Sequence, residues 1–296
     1  MCCDGGVKDT RPVELRRVAE RVVSEAADFV RRRRAEIFGE SDDGADASAA
    51  AVWTKSTPTD PVTVVDTETE QLVRDLLARW RPGDPILGEE GGGPHEGMPA
   101  APDAVRWVVD PIDGTVNFVY GIPAYAVSVA AQRDGVSVAG AVADISSGEV
   151  YSAAAGLGAQ LLTGAGCRPI RCSRAADLSM TLLGTGFGYE PRRRAVQSEL
   201  LAHLVPLVRD VRRVGSAALD LCMVAAGRLD AHYEHGLNVW DWAAGALIAA
   251  EAGAVVVLPE PGRSATAGEL VVAAAPGVAA QLLEALDRFG GLRAIP

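Results

Sequence analysis

The densest group of chemistry-bearing residues in this sequence is Asp110-Pro111-Ile112-Asp113-Gly114-Thr115, directly after the apolar run Val105–Val109. Pro111 fixes its own φ and predicts that a strand stops there, so that the chain turns and aims Asp110 and Asp113 into one small volume. Two bare carboxylates that close repel and raise each other's pKa. A hard cation removes the conflict, and Mg²⁺ takes carboxylate and carbonyl oxygens at about 2.0–2.1 Å. Gly114 lets a ligand approach the backbone, and Val116-Asn117-Phe118 is placed to begin a helix whose N–H groups suit a phosphate. Further carboxylates stand at Glu89-Glu90, after Ile86-Leu87, and at Asp241, between Trp240 and Trp242. Asp241 falls in the first turn of a helix, where the dipole alone would stabilise it; cap and metal ligand are both open for it.

The elements that must position these residues follow from periodicity. Leu15, Val18, Val22, Ala26 and Val30 recur at helical spacing and predict an opening helix, with Arg31–Arg34 at its C-terminal end as dipole partners or a small basic patch. Ser41–Ala51 is acidic and small and is expected to be a flexible loop. Asp60–Asp66 reads as a β-rich segment ending in a carboxylate, and 67–80 as a helix closed by Pro82-Gly83. Strands are expected at 105–109, 124–131, 135–143 and 149–153, then at 180–184, 230–233, 255–258 and 270–273. Helices are expected at 198–207, 216–226, 241–252 with Gly253 closing it, and 278–289. This divides the chain into a short N-terminal stretch (1–11), an α+β half (12–175) and an α/β half (176–296).

Bulk composition bounds the function. With 296 residues, Lys+Arg 28 against Asp+Glu 39 and a net charge of −11, the chain repels a phosphate backbone, which argues against nucleic acid as a partner. An anionic substrate then needs a local reversal of sign, which a bound cation supplies. Five cysteines, no CxxC and a polar start (Met1–Val13) predict a reduced, cytoplasmic setting. No apolar run reaches the ~18 residues of a membrane span. There is no GxSxG elbow and no Walker A sequence. Gly184-Thr185-Gly186-Phe187-Gly188 has too few features for a dinucleotide fingerprint and is taken as a strand end.

Together these residues carry a resemblance. Trp107–Phe118 (WVVDPIDGTVNF) resembles the first signature of the inositol monophosphatase family, Asn238–Ala246 (NVWDWAAGA) its second, and Gly88-Glu89-Glu90 its GEE motif. The likeness runs from Lys55-Ser56-Thr57-Pro58-Thr59-Asp60 to Glu251-Ala252-Gly253 and is nearest to bacterial inositol-1-monophosphatases of the SuhB type. It implies a layered αβαβα sandwich and a homodimer. It implies two or three Mg²⁺ per subunit held by Glu89, Asp110, the carbonyl of Ile112, Asp113 and Asp241. Thr115 and Asp66 would orient the attacking water, with Glu89 assisting through a metal. Gly114 and Thr115 would hold the phosphate, and Ala217 and Glu234 would contact inositol hydroxyls, near Asp113 and Asp241. Lys55 falls on the family's mobile loop.

The implied activity is hydrolysis of a small phosphate monoester, myo-inositol 1-phosphate, with sensitivity to lithium. Relatives acting on fructose 1,6-bisphosphate, histidinol phosphate or 3′-phosphoadenosine 5′-phosphate share the metal core. In some bacterial relatives a transcription-associated binding role occurs, for which Arg31–Arg34 and Arg192–Arg194 offer a surface. Tyr120 stands where many members carry His, and Asn238 at a position that varies; both bear on substrate preference. None of His95, His203, His232 and His235 lies in a signature, and each is expected to be a surface or structural residue.

Overall fold

The computed structural model describes residues 11–39, 52–54, 61–93, 104–260 and 267–296. Lys55, His95, Cys2, Cys3 and the 41–51 segment lie outside them.

Helix α1 (Pro12–Phe38) buries Leu15, Ala19, Val22, Val23, Ala26, Ala27 and Val30 along one stripe, each fully buried Leu or Val contributing about 1.5–3 kcal/mol. It runs beyond Arg31–Arg34, so those arginines lie inside the helix and none falls in the last turn. Three of them are already engaged: Arg31 with Asp28, Arg33 with Glu36 and Glu68, and Arg34 with the carbonyl of Phe118. The short strands β1 (Val52–Thr54) and β2 (Pro61–Thr63) pair antiparallel. Helix α2 (Val64–Trp80) follows directly. Asp66 therefore does not end a strand, as periodicity suggested; it is in the first helical turn, where the cap at Thr63 overrides the β-branched pattern.

Seven strands form one sheet in chain order: β3 (Ile86–Gly88), β4 (Arg106–Asp113), β5 (Ala126–Arg133), β6 (Val136–Asp144), β7 (Val150–Ala154), β8 (Ala159–Thr163) and β9 (Gly166–Ile170). Only β3 and β4 pair in parallel. The last two strands escaped the sequence reading because their residues are short, mixed and half-exposed. Pro111 does not stop β4. The strand passes through it with a register shift between Asp110 and Asp113 against β5, since a bulge spares the missing N–H. Helix α3 (Thr115–Tyr120) follows at once.

A second sheet, in the order β11-β10-β12-β14-β13, is built from β10 (Leu182–Thr185), β11 (Asp210–Arg212), β12 (Ala231–His235), β13 (Val255–Val257) and β14 (Leu270–Ala274). Its helices are α4 (Pro191–Leu204), α5 (Ala217–Ala225), α6 (Val239–Glu251) and α7 (Pro276–Arg288). Helix α4 starts earlier than its apolar spacing suggests, at Pro191, and carries Arg192–Arg194 in its first turn.

Strand alternation decides how the layers stack. Trp107 and Val109 of β4 face α1 and α2, whereas Val108 faces α5 and α6. In β14, Val271 and Ala273 join that same middle layer, while Leu270, Val272 and Ala274 face α4 and α7. The result is a five-layer αβαβα sandwich with α5 and α6 between the sheets.

Candidate active site

The β4 bulge, the turn after β3, the first turn of α2 and the N-termini of α5 and α6 meet at one point. There the carboxylate oxygens of Asp110, Asp113 and Asp241 lie within 4.8 Å of one another. Asp110 is buried on the strand. Burial, first, and the charges of Glu89, Asp113 and Asp241 push its pKa well above the ordinary range. Glu89 also hydrogen-bonds Asp110, and its own N–H donates to the carbonyl of Val109 at 3.2 Å. The Oδ1 of Asp110 is buried with no hydrogen-bond partner among the described residues.

Asp113 is held from the opposite side. Its Oδ2 accepts from Ser216 Oγ and from the N–H of Ala218, both at 2.6 Å, and the N–H of Ala217 bonds it as well. The start of α5 thus clamps an anion, as a helix N-terminus should. Burial lifts Asp113 to about 6, against the pull of these donors and of Arg213. Asp241 is placed for both roles left open by its position. Its Oδ2 accepts from the N–H of Asn238 at 2.6 Å, capping α6, while the carboxylate stands in the acidic group. Burial and the charges of Asp113 and Glu89 raise its pKa well above normal.

Thr115 connects this group to Asp66. Its Oγ1 lies 3.1 Å from the carbonyl of Ile112 and 3.1 Å from Asp66 Oδ1, and its one proton serves one acceptor at a time. Asp66 Oδ2 in turn accepts from the N–H of Thr63 at 2.8 Å and from its hydroxyl. Burial raises Asp66 to about 7, with the Thr63 bonds opposing and Glu89 and Glu90 adding to the rise. Gly114 has φ 97°, and a Cβ there would meet the carbonyls of Ala124 and Gly215 at 2.9 and 3.1 Å, so the turn into α3 requires glycine.

Ala217 and Glu234 line the other side. Glu234, on β12, is buried; burial raises it to about 7, with Arg213 pulling down and Asp113 pushing up. His232 and His235 are also buried, whereas His203 is exposed and stacks on Phe289. Tyr120 is 79% exposed at the end of α3.

Several contributors carried no signal as sites. Ser216 falls at a helix start, with nothing in the sequence to mark it as the partner of Asp113. Arg213, whose charge acts on Asp113, Asp220 and Glu234, is one arginine among many. Asn117 joins the carbonyls of Ala124 and Val214 through one Nδ2 at 2.7 and 2.9 Å. Glu70 holds the 89–91 turn, accepting from the N–H groups of Glu90 and Gly91 at 2.7 and 2.9 Å. A Cβ on Gly88 would lie 2.3 Å from its carboxylate, which is why that turn opens on glycine.

A three-carboxylate corner with one orphaned buried oxygen is a donor set for a hard divalent cation, and the protein comparisons agree with it. A model of the inositol monophosphatase family matches residues 12–289. The chain belongs to the inositol monophosphatase family. It is an enzyme, a phosphatase from a metal-dependent family. An inositol-1-monophosphatase SuhB of Mycobacterium tuberculosis is 66% identical over 288 residues, covering 97% of this chain and 98% of that protein. The solved Mycobacterium tuberculosis SuhB structure superposes with a TM-score of 0.80 at 60% identity, over 96% of this chain and all of the other. A Nus factor SuhB of Pasteurella multocida is 36% identical over 229 residues, 77% of this chain and 83% of that protein. Among the described residues, no helix is long and apolar enough to cross a membrane.

Proposed function

We propose that the protein hydrolyses myo-inositol 1-phosphate to inositol and phosphate with Mg²⁺, two or three ions per subunit, at the Asp110–Asp113–Asp241 corner. The observation that carries this reading is the convergence of three carboxylates around the unpartnered Oδ1 of Asp110. Asp110, Asp113, Asp241, Glu89 and the Ile112 carbonyl are the residues that would hold the metal. Mg²⁺ bound there supplies positive charge for the phosphate oxygens and lowers the pKa of water.

The protein's own groups do the rest. The N–H groups of Gly114 and Thr115 hold the phosphate at the start of α3. Thr115 Oγ1 orients the attacking water and passes its proton to Asp66 Oδ1, 3.1 Å away. At about 7, Asp66 is matched to hold or release a proton near neutral pH. Ser216, Ala217 and Ala218 keep Asp113 from swinging. Ala217 and Glu234 meet the departing alcohol, Glu234 accepting from its hydroxyls. The substrate choice against fructose 1,6-bisphosphate, histidinol phosphate or 3′-phosphoadenosine 5′-phosphate rests on Glu234, whose carboxylate suits a neutral polyol better than a second anion. The 66% identical relative bears the name inositol-1-monophosphatase, which supports the same choice. We further propose a lithium-sensitive, cytoplasmic homodimer, with the chain divided near 175 into a half that carries the metal motifs and a half that carries the polyol wall.

The test is phosphate release from a panel of these substrates at fixed Mg²⁺, with and without EDTA. Myo-inositol 1-phosphate should give the highest kcat/KM, and EDTA should abolish turnover. Activity that survives EDTA would remove the metal reading, and a preference for a bisphosphate would remove the polyol reading.

A further inference from the structure

Behind Glu234 the structure buries two more titratable groups that the hydrolytic chemistry does not use. His232 is on the same strand with no exposed surface, and Asp220 of α5 is 1% exposed. His232 Nδ1 lies 3.9 Å from Asp220 Oδ2, and His232 Nε2 lies 3.7 Å from Glu234 Oε2. Both ring nitrogens and Asp220 Oδ1 are buried without a hydrogen-bond partner. The gaps are about 0.7 and 0.5 Å beyond the ~3.2 Å of a hydrogen bond, and closing them would satisfy both unpartnered ring nitrogens.

The neighbouring strand has been cleared for this column. A Cβ on Gly184 would lie 3.1 Å from His232 Nδ1 and 3.2 Å from Asp220 Oδ1. A Cβ on Gly186 would lie 2.1–2.2 Å from the Glu234 carboxylate. The Gly184-Thr185-Gly186 motif therefore marks the wall against which this polar column packs, as well as a strand end.

We propose that Asp220, His232 and Glu234 form a buried relay of hydrogen bonds in which Asp220 keeps its proton and donates a hydrogen bond to His232 Nδ1, His232 is held as the neutral Nε2–H tautomer, and Glu234 is thereby fixed as an anionic acceptor for substrate hydroxyls. Its functional consequence rests on the reading of Glu234 as a contact to the polyol. The protonation pattern follows from the surroundings. Burial, with Glu234 and Asp113 adding, drives Asp220 well above the ordinary carboxylate range, and burial drives the His232 imidazole down to about 3. A protonated Asp220 leaves Nδ1 as the acceptor, so the ring hydrogen must sit on Nε2, facing Glu234. From the open side Glu234 also feels Arg213, which favours its charge, and Asp113, which opposes it. His232 and Asp220 are positioning residues; neither meets the reacting phosphate.

The experiment has two arms. In ¹⁵N-histidine-labelled full-length protein with Mg²⁺, His232 should show the neutral Nε2–H pattern at pH 7; an imidazolium or an Nδ1–H tautomer overturns the relay. In kinetics, Asp220→Asn, which still donates to Nδ1, should keep KM for myo-inositol 1-phosphate within about threefold. His232→Phe and Asp220→Leu should raise that KM about tenfold, the loss of one hydrogen bond to a charged group, while kcat on p-nitrophenyl phosphate stays within about twofold. His232→Gln, able to accept and donate, should restore most of the loss. Equal KM in His232→Phe and wild type overturns the proposal. If the wild type does not favour myo-inositol 1-phosphate over p-nitrophenyl phosphate, the substrate reading fails by itself, and the tautomer still decides the relay.

Discussion

Two regions of this molecule bury carboxylates against one another, and they answer the repulsion differently. In the corner of Asp110, Asp113 and Asp241, with Glu89 beside it, every member is an acid, and Arg213 pulls against the rise at Asp113. Its pKa values rise because burial and like charge reinforce each other. The column of Asp220, His232 and Glu234 places an imidazole between two acids, so protons can be shared within it. One arrangement asks for a metal; the other is complete as protein. The difference lies in what each needs from outside, although the first turns of α5 serve both, clamping Asp113 and carrying Asp220.

The largest effect expected from breaking this contrast is at Asp113. Asp113→Asn removes a charge from the corner but keeps the Ser216 bond, and kcat should fall by about 10³ or more on every substrate, since charge stabilisation of this kind is worth several kcal/mol. Circular dichroism should show the fold intact; a variant retaining most of its kcat would take Asp113 out of the ligand set. Next comes Thr115→Val, which deletes the hydroxyl between Ile112 and Asp66. A loss of about 10²–10³ in kcat with little change in KM is expected for a lost proton-transfer group, and a pure KM effect would reassign Thr115 to binding.

Glu234→Gln acts on the other region. It should raise KM for myo-inositol 1-phosphate about tenfold, with a smaller change in kcat; an equal fall in kcat and kcat/KM would place Glu234 in the chemistry instead.

The smallest effect is on stability and separates the two regions by pH. Asp66 and Glu234, raised to about 7 in the folded state, bind protons there that the unfolded chain has already released at about 4. Such groups stabilise the fold below the unfolded value and lose that contribution as pH rises through the folded value. The metal-free protein should therefore lose Tm as pH rises from about 4.5 to about 7, and level off above about 8. Mg²⁺ should flatten the slope at the corner while leaving the part due to Glu234. His232 works in the opposite sense, but only below the ordinary imidazole range of about 6.5. A Tm rising with pH in metal-free protein would show that the carboxylates are not held up by burial.

Much of the corner was legible because it is local. Asp110, Asp113, Gly114 and Thr115 are neighbours in the chain, and an apolar strand running into them is a pattern of types and spacing. Asp241 was half legible, since its place in a first helical turn is a sequence fact while its second role depends on what faces it. Asp66 was visible as a residue but misplaced, because the capping bonds of Thr63 decide where α2 begins. Pro111 misled in the same way: local φ forbids a regular strand, yet pairing with β5 carries the strand through as a bulge.

By itself the sequence determined the alternation of helices and strands, the acidic hexapeptide, and through its three motifs the family and the layered architecture. Only the tertiary structure decided that Ser216 and the start of α5 clamp Asp113, 103 and 105 residues away in the chain. It alone turned Gly184-Thr185-Gly186 from a strand end into the wall against which Asp220, His232 and Glu234 pack. The reason is physical: a hydrogen bond or an unpaired buried oxygen belongs to a meeting of elements, and no spacing along one element records what the facing element will bring.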